Sequence, residues 1–194
     1  VLMIGAGGLV GGSLLEVFSR DGKHEVMGTC RAKRVPGLLP LEIADAGAVN
    51  GVLERVRPEV TILAAALTDV NYCELHPEEA HRTNVVGTAN VVEACRRWGS
   101  RVVFTSTDYV FDGRGGPYRE EDEPNPISVY GRSKLEGERL VVTLDGSLIV
   151  RTTVVLDYRP GDRNFMMRLI GRLMRRELLE VPVDQFSTPT YAPN

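Results

Sequence analysis

The segment that most limits the fold lies at the start of the chain. Val1-Leu-Met-Ile4 is an uninterrupted apolar run of strand character, and Gly5-Ala-Gly-Gly8-Leu-Val-Gly11-Gly12 carries it into a helix-patterned stretch, Leu9–Ser19. At a strand–turn–helix junction these glycines have separate tasks. Gly5 permits the tight turn, Gly8 lets the backbone approach a pyrophosphate, and Gly11 lets helix and strand pack closely. The helix N-terminus, with Leu9 and Val10 in its first turn, offers N–H groups and the positive end of a dipole. The register is Gly-x-x-Gly-x-x-Gly; a Gly-x-Gly-x-x-Gly register fails because position 10 is Val. Inside a βαβ unit such a loop is a dinucleotide site; outside one it is only a glycine-rich turn.

The surrounding pattern supplies that unit. Glu25–Thr29, Val60–Ala66, Arg101–Thr105, Leu148–Arg151 and Leu179–Val183 read as strands, and Leu41–Asp45 as the end of a further, third strand. Ala46–Val56, Glu78–Trp98, Ser128–Val142 and Phe165–Arg176 have helical spacing. Near-continuous apolar strands alternating with helices predict an α/β fold, a doubly wound parallel sheet of the NAD(P)-binding Rossmann type. We place this domain at residues 1–155 and the start of a smaller C-terminal substrate domain at residues 156–194. Both ends read as cut: the chain begins within a strand, without an initiator Met, and stops after a turn-rich stretch from Ser187 to Asn194. Most of the second domain is expected to lie beyond it. The Gly-, Pro- and acid-rich segment Asp112–Ile127 is long for a loop, which favours a place near a site.

Composition narrows the partners. A formal net charge of −3 gives no basic field to attract nucleic acid or an anionic membrane. No apolar run approaches the ~18 residues of a membrane span. Cys30, Cys73 and Cys95 are odd in number and lack metal-ligand spacing, so they read as reduced thiols of a cytoplasmic protein, with no metal centre.

The end of the second strand bears on which dinucleotide is bound. An NAD site places an acid there, about twenty residues after the loop, to hold the ribose 2′-hydroxyl. Here Cys30 is followed by Arg31-Ala-Lys33-Arg34. A 2′-phosphate would be paired by Arg31, aided by Lys33 or Arg34, so NADP(H) is expected, with NAD(H) as the alternative. A solvated basic loop is the plainer account of the same residues. Glu42 and Ile43 are placed for contact with adenine. Asp45 suits either that role or a helix N-cap.

Tyr130-Gly-Arg-Ser-Lys134 sets a phenol and an amine four residues apart on one helix face. A neighbouring ammonium favours the phenolate and is expected to bring the phenol below its usual value of about 10. Such a tyrosine can pass a proton to an oxygen that is receiving hydride. One strand earlier, Thr105-Ser106-Thr107 ends at the carboxyl edge of the sheet, where Thr107 or Ser106 could hydrogen-bond a substrate carbonyl.

Together these blocks resemble the extended short-chain dehydrogenase/reductase superfamily, to which the Gly-x-x-Gly-x-x-Gly register is also typical. Within it, Ser106-Thr-Asp-Tyr-Val-Phe-Asp-Gly113, Pro117-Tyr-Arg-Glu-Glu-Asp122 and Val129-Tyr-Gly-Arg-Ser-Lys-Leu-Glu-Gly-Glu138 are similar to the dTDP-4-dehydrorhamnose reductase family. That branch also holds the regulatory β subunit of methionine adenosyltransferase. The resemblance implies a Thr107, Tyr130 and Lys134 triad, with Tyr130 as proton donor, Lys134 on the nicotinamide ribose and Thr107 on the substrate carbonyl. It implies that Ala64, Ala65 and Ala66 line the cofactor groove and that Asn84 helps hold the active-site helix. Thr68, Asp108, Tyr109 and Asn164 fall on the substrate side, and the arginines of 164–176 could meet a diphosphate.

The activity implied is NADPH-dependent reduction of a nucleotide-activated 4-keto-6-deoxy sugar. The alternatives are a non-catalytic NADP-binding regulatory subunit and a nucleotide-sugar epimerase; a homodimer is also open. One departure concerns the substrate. Family reductases carry an aromatic Trp-Val-Tyr after the Arg-Thr of this strand, whereas this chain has Thr153-Val154-Val155-Leu156.

Overall fold

The computed structural model describes residues 1–31, 35–158, 164–180 and 183–192. Strands β1 (Leu2–Ile4), β2 (Met27–Cys30), β3 (Leu38–Pro40), β4 (Val60–Leu63), β5 (Arg101–Thr107) and β6 (Leu148–Thr152) form one parallel sheet in the order β3-β2-β1-β4-β5-β6. This order reverses direction between β1 and β4. A crevice therefore opens beyond their carboxyl ends, the place where doubly wound sheets bind ligands.

Both faces of the sheet are covered, and the strands alternate between two cores. Leu2, Ile4, Leu63, Val102 and Phe104 point into a core shared with helices α2 (Ala46–Val56) and α5 (Gly87–Trp98). Met3, Ile62 and Val103 point the other way, against Leu14, Leu15 and Phe18 of α1 (Leu9–Asp21). In the central strands β1 and β4 residues on both faces are buried, which suits their near-continuous apolar pattern.

Caps set the helix ends. Asp45 accepts from Ala48 N at 3.0 Å to start α2, and Ser128 accepts from Gly131 N at 2.9 Å to start α6 (Val129–Val141). Helix α5 stops at Gly99, whose φ of 71° is the left-handed conformation a C-terminal cap needs.

Several elements differ from expectation. The third strand ends at Pro40, and residues 41–45 lead from it into α2. A short helix α3 (Val70–Leu75) follows the turn after β4. The long helix starts at Pro77 rather than Glu78. It is α4 (Pro77–His81) joined to α5 through a π-helical turn, Arg82–Val86. The strand expected at 179–183 is not found at its described residues. Instead β7 (Val155–Leu156) pairs in parallel with β8 (Thr190–Tyr191), flanking α7 (Phe165–Met174) in sequence.

Candidate active site

A cleft of about 1290 Å³ runs along the carboxyl edge of the sheet. The glycine loop, Ala64, Ala66 and Thr68 line it. Thr105–Tyr109, Tyr130, Lys134, Val154, Asn164 and Arg168 line it as well. At the glycine loop the backbone is packed tightly. Gly5 has φ 95°, and a Cβ there would lie 2.5 Å from Ala65 N. A Cβ on Gly11 would lie 2.3 Å from Gly5 O, so helix α1 abuts the turn only because both residues lack side chains. Gly8 caps α1 without a side-chain hydrogen bond, and no acid stands in the first turn. The helix N-terminus thus presents backbone N–H groups and a positive dipole end to the cleft, which fits the diphosphate of a dinucleotide.

The residues expected around adenosine are placed less simply. Arg31 is exposed directly after β2; Lys33 and Arg34 lie outside the described residues. Ile43 is a core residue, 3% exposed, with its side chain against Gly87, so its apolar surface is already taken and does not face the cleft. Glu42 accepts a hydrogen bond from Ala44 N at 3.2 Å, and Asp45 is the N-cap of α2. Ala65 packs under Gly5 rather than lining the groove, while Ala64 and Ala66 do line it.

Strand β5 runs two residues further than expected and delivers Thr107 to the cleft. A single 3₁₀ turn, Asp108–Val110, follows, capped by the Thr107 hydroxyl, which accepts from Tyr109 N at 3.2 Å. Helix α6 lies directly on this turn: a Cβ on Gly131 would sit 2.1 Å from Tyr109 O. That contact brings Tyr130 against Thr107. The Tyr130 ring meets Tyr109 edge-on at 5.7 Å. Burial pushes the Tyr130 phenol up to about 12, and a hydrogen bond with Thr107 works against that rise. The expected lowering by Lys134 is therefore not found: burial dominates, and the opposing influence comes from Thr107.

Lys134 is 2% exposed. Its Nζ donates to Thr105 O at 2.7 Å and sits 3.9 Å from the centre of the Phe104 ring. Burial draws this amine down to about 7, while the Glu138 charge pushes it back up. Of the two hydroxyls left open by the sequence, Thr107 is the one beside Tyr130. Ser106 instead donates to Glu138 Oε1 at 2.5 Å.

Other expected residues serve the frame. Asn84, in the π-helical turn, donates to Leu67 O and Ser133 Oγ and accepts from Leu67 N. It thereby ties the turn after β4 to α6. Thr68, Asp108 and Tyr109 line the cleft. Asn164 does so too, but its amide also caps α7, accepting from Met167 N, and donates to Asp157 O. The loop 112–127 does not line the cleft; Asp112 knits it together, accepting from Arg114 N, the Tyr118 hydroxyl and Asn125. Those three bonds hold the Asp112 carboxyl down at about 2.

Glu138 and Arg151 form a partly buried pair that sequence reading missed: Arg151 Nε reaches Glu138 Oε1 at 2.9 Å and Nη2 reaches Oε2 at 2.7 Å. A signal was present, since Tyr130, Lys134 and Glu138 recur every four residues on one helix face.

The whole chain, residues 1–194, matches the family described as RmlD substrate binding domain. The protein belongs to that family. It is 37% identical over 194 residues to dTDP-4-dehydrorhamnose reductase of Aggregatibacter actinomycetemcomitans, covering 99% of this chain and 63% of that protein. It is 36% identical over 155 residues to methionine adenosyltransferase 2 subunit beta of Xenopus tropicalis, 79% of this chain and 46% of that one. Among solved structures, dTDP-4-dehydrorhamnose reductase of Bacillus anthracis in complex with NADP superimposes with a TM-score of 0.87 at 32% identity, over 98% of this chain and 65% of that one. The chain thus spans less than two thirds of these relatives.

Proposed function

We propose that this chain carries the cofactor-binding and proton-donating part of an NADPH-dependent reductase of a nucleotide-activated 4-keto-6-deoxy sugar. The observation that carries the reading is the convergence of Thr107, Tyr130 and Lys134 in the cleft that begins at the glycine loop. A bound dihydronicotinamide supplies hydride to the carbonyl carbon. The chain supplies the proton. Tyr130, with its phenol at about 12, stays protonated at neutral pH and gives that proton to the carbonyl oxygen as it becomes an alkoxide. Thr107 orients the carbonyl beside Tyr130. Lys134 uses one donor on Thr105 O and keeps further N–H groups for the cofactor ribose. Arg31, with no acid before it at the end of β2, favours the 2′-phosphate of NADP(H). On the substrate side, Arg168 and Asn164 border the place where the sugar nucleotide would extend.

The test is NADPH oxidation by the protein in the presence of dTDP-4-dehydrorhamnose, with NADH as comparison. Tyr130→Phe is expected to lose at least 100-fold in kcat, within the range general acid catalysis contributes. Arg31→Ala is expected to narrow the preference for NADPH. Unchanged turnover in Tyr130→Phe would remove the mechanism.

A second reading, a regulatory subunit that binds NADP without turning it over, draws on the methionine adenosyltransferase relatives and on the aliphatic Val154 that lines the cleft. Tight NADP binding with no turnover, together with co-purification of a synthetase, would select it. An epimerase with the same triad would leave no net change in NADPH.

A further inference from the structure

The chain contains only three lysines, Lys23, Lys33 and Lys134, against a combined Lys and Arg count of 23. Almost every cation is therefore an arginine, yet among the described residues the cation buried in the cleft is a lysine. An ammonium at 2% exposure needs a counter-charge, because desolvation alone drives a fully buried lysine toward neutrality near pH 5–6.

Polar and charged groups meet Lys134 and its neighbour Tyr130 from several elements. From β5 it meets the Thr105 carbonyl and the Phe104 ring, both without formal charge. From the turn after β5, Asp108 faces Tyr130, as does the Cys73 thiol of α3. From its own helix, one turn on, comes Glu138, 4% exposed. Lys134 and Glu138 both rest on β5: the amine holds the carbonyl of Thr105, and the carboxylate accepts from the hydroxyl of Ser106. The carboxylate cannot swing away, since Arg151 of β6 grips both its oxygens and is itself tied to Glu120 O at 3.2 Å.

We infer that Glu138 is a positioning residue for this site: its carboxylate, clamped by Ser106 and Arg151, is the fixed counter-charge of the Lys134 ammonium. The inference rests on the reductase reading only for its consequence in turnover; the charge coupling itself holds in the protein without substrate. Arg151 meets the same carboxylate through Nε and Nη2 and so weakens its field, but Glu138 remains the charge that acts on Lys134. Glu138 thus links a cation meant for the cofactor ribose to strands β5 and β6.

The test is the titration of Lys134 by NMR of protein labelled with ¹³C-lysine, which carries three lysine signals. The Lys134 signal is assigned by its absence in Lys134→Met. In the wild type the midpoint is expected at or above about 7, and a midpoint at 5–6 would overturn the inference without any variant. Glu138→Gln keeps the shape and loses the charge, and should lower the midpoint by about one pH unit. Glu138→Asp keeps the charge and should stay within about half a unit of the wild type. Equal shifts in the two variants, or none in either, would also overturn it. In turnover with NADPH, Glu138→Gln should lose about fivefold more kcat/KM at pH 8 than at pH 6, whereas a merely structural role would lower both alike. A shifted titration with no turnover in any form would reject the reductase reading and leave the charge coupling standing.

Discussion

The residue with the most to say about the site is Lys134. Its amine is drawn down to about 7 by burial, against an ordinary value of 10.5, so between these two pH values the unfolded chain holds a proton that the folded chain has released. The sign follows: this group's contribution to stability is at its lowest below pH 7, rises as pH climbs through the window, and is complete above about 10.5. A buried cation that costs stability at neutral pH is what a functional group looks like, and removing it should stabilise the fold. Lys134→Met keeps the length of the side chain and leaves Glu138 with Arg151 and Ser106. It gives up the bond to Thr105 O and the Phe104 contact, so the net gain expected at pH 6.5 is roughly 1–3 kcal/mol. The gain should shrink toward zero by about pH 10. Thermal melts across this range read it directly; a variant less stable at pH 6.5, or a difference that ignores pH, would contradict the account.

At the scale of elements, the doubly wound parallel sheet was legible because its strands are mostly apolar and alternate with helix-patterned segments. The tyrosine and lysine were legible because their spacing matches a helix turn. What was missed has physical causes. Helix α3 is six residues long, framed by Asp69 and Pro77, too short to display a period. The π-helical turn at Arg82–Val86 adds a residue to one turn, which an apolar stripe does not reveal. Ala64–Ala66 look like more strand, but they leave the sheet where Gly5 presses on Ala65 and the cleft begins. Ile43 was read as a ligand contact because its burial by Gly87 depends on a helix forty residues away. Packing between elements also makes Gly131 decisive, although the motif spells it only as a spacer. A methyl there meets the Tyr109 carbonyl, which is backbone and cannot turn aside. Gly131→Ala should push α6 off the turn and separate Tyr130 from Thr107. The expected result is at least a tenfold fall in kcat, since a displacement near 1 Å can cost a hundredfold. NADP(H) affinity should fall less than kcat, because α6 carries Lys134 toward the cofactor ribose while the glycine loop keeps its own contacts with Thr29 and Ala65. Fluorescence titration of NADPH beside steady-state kinetics separates the two, and equal losses in both would show that the contact supports the fold in general.

Across the whole molecule, burial is uneven. The six-stranded sheet and the helices on it enclose two continuous cores, whereas α7, despite its apolar face, contains no buried residue. Phe165, Leu173 and Met174 of that helix are exposed, and so are Leu178, Val183 and Phe186 beyond it. Six large apolar side chains are thus exposed among the described residues of 165–186, and exposed apolar surface favours association. Charge does little to keep copies apart, since the formal net charge is only −3. The 194-residue chain should therefore associate with itself or with apolar probes through this end. Sedimentation velocity between about 1 and 100 µM should give a weight-average mass that climbs with concentration, and an apolar fluorescent dye should bind. Introducing charge with Leu173→Lys and Met174→Lys should reverse both effects and leave NADP(H) affinity unchanged, because neither residue lines the cleft. A single monomeric species at every concentration, with no dye bound, would mean that the exposed face of α7 is too broken by its arginines to act as a surface, and that the basic half of this amphipathic helix dominates its behaviour in water.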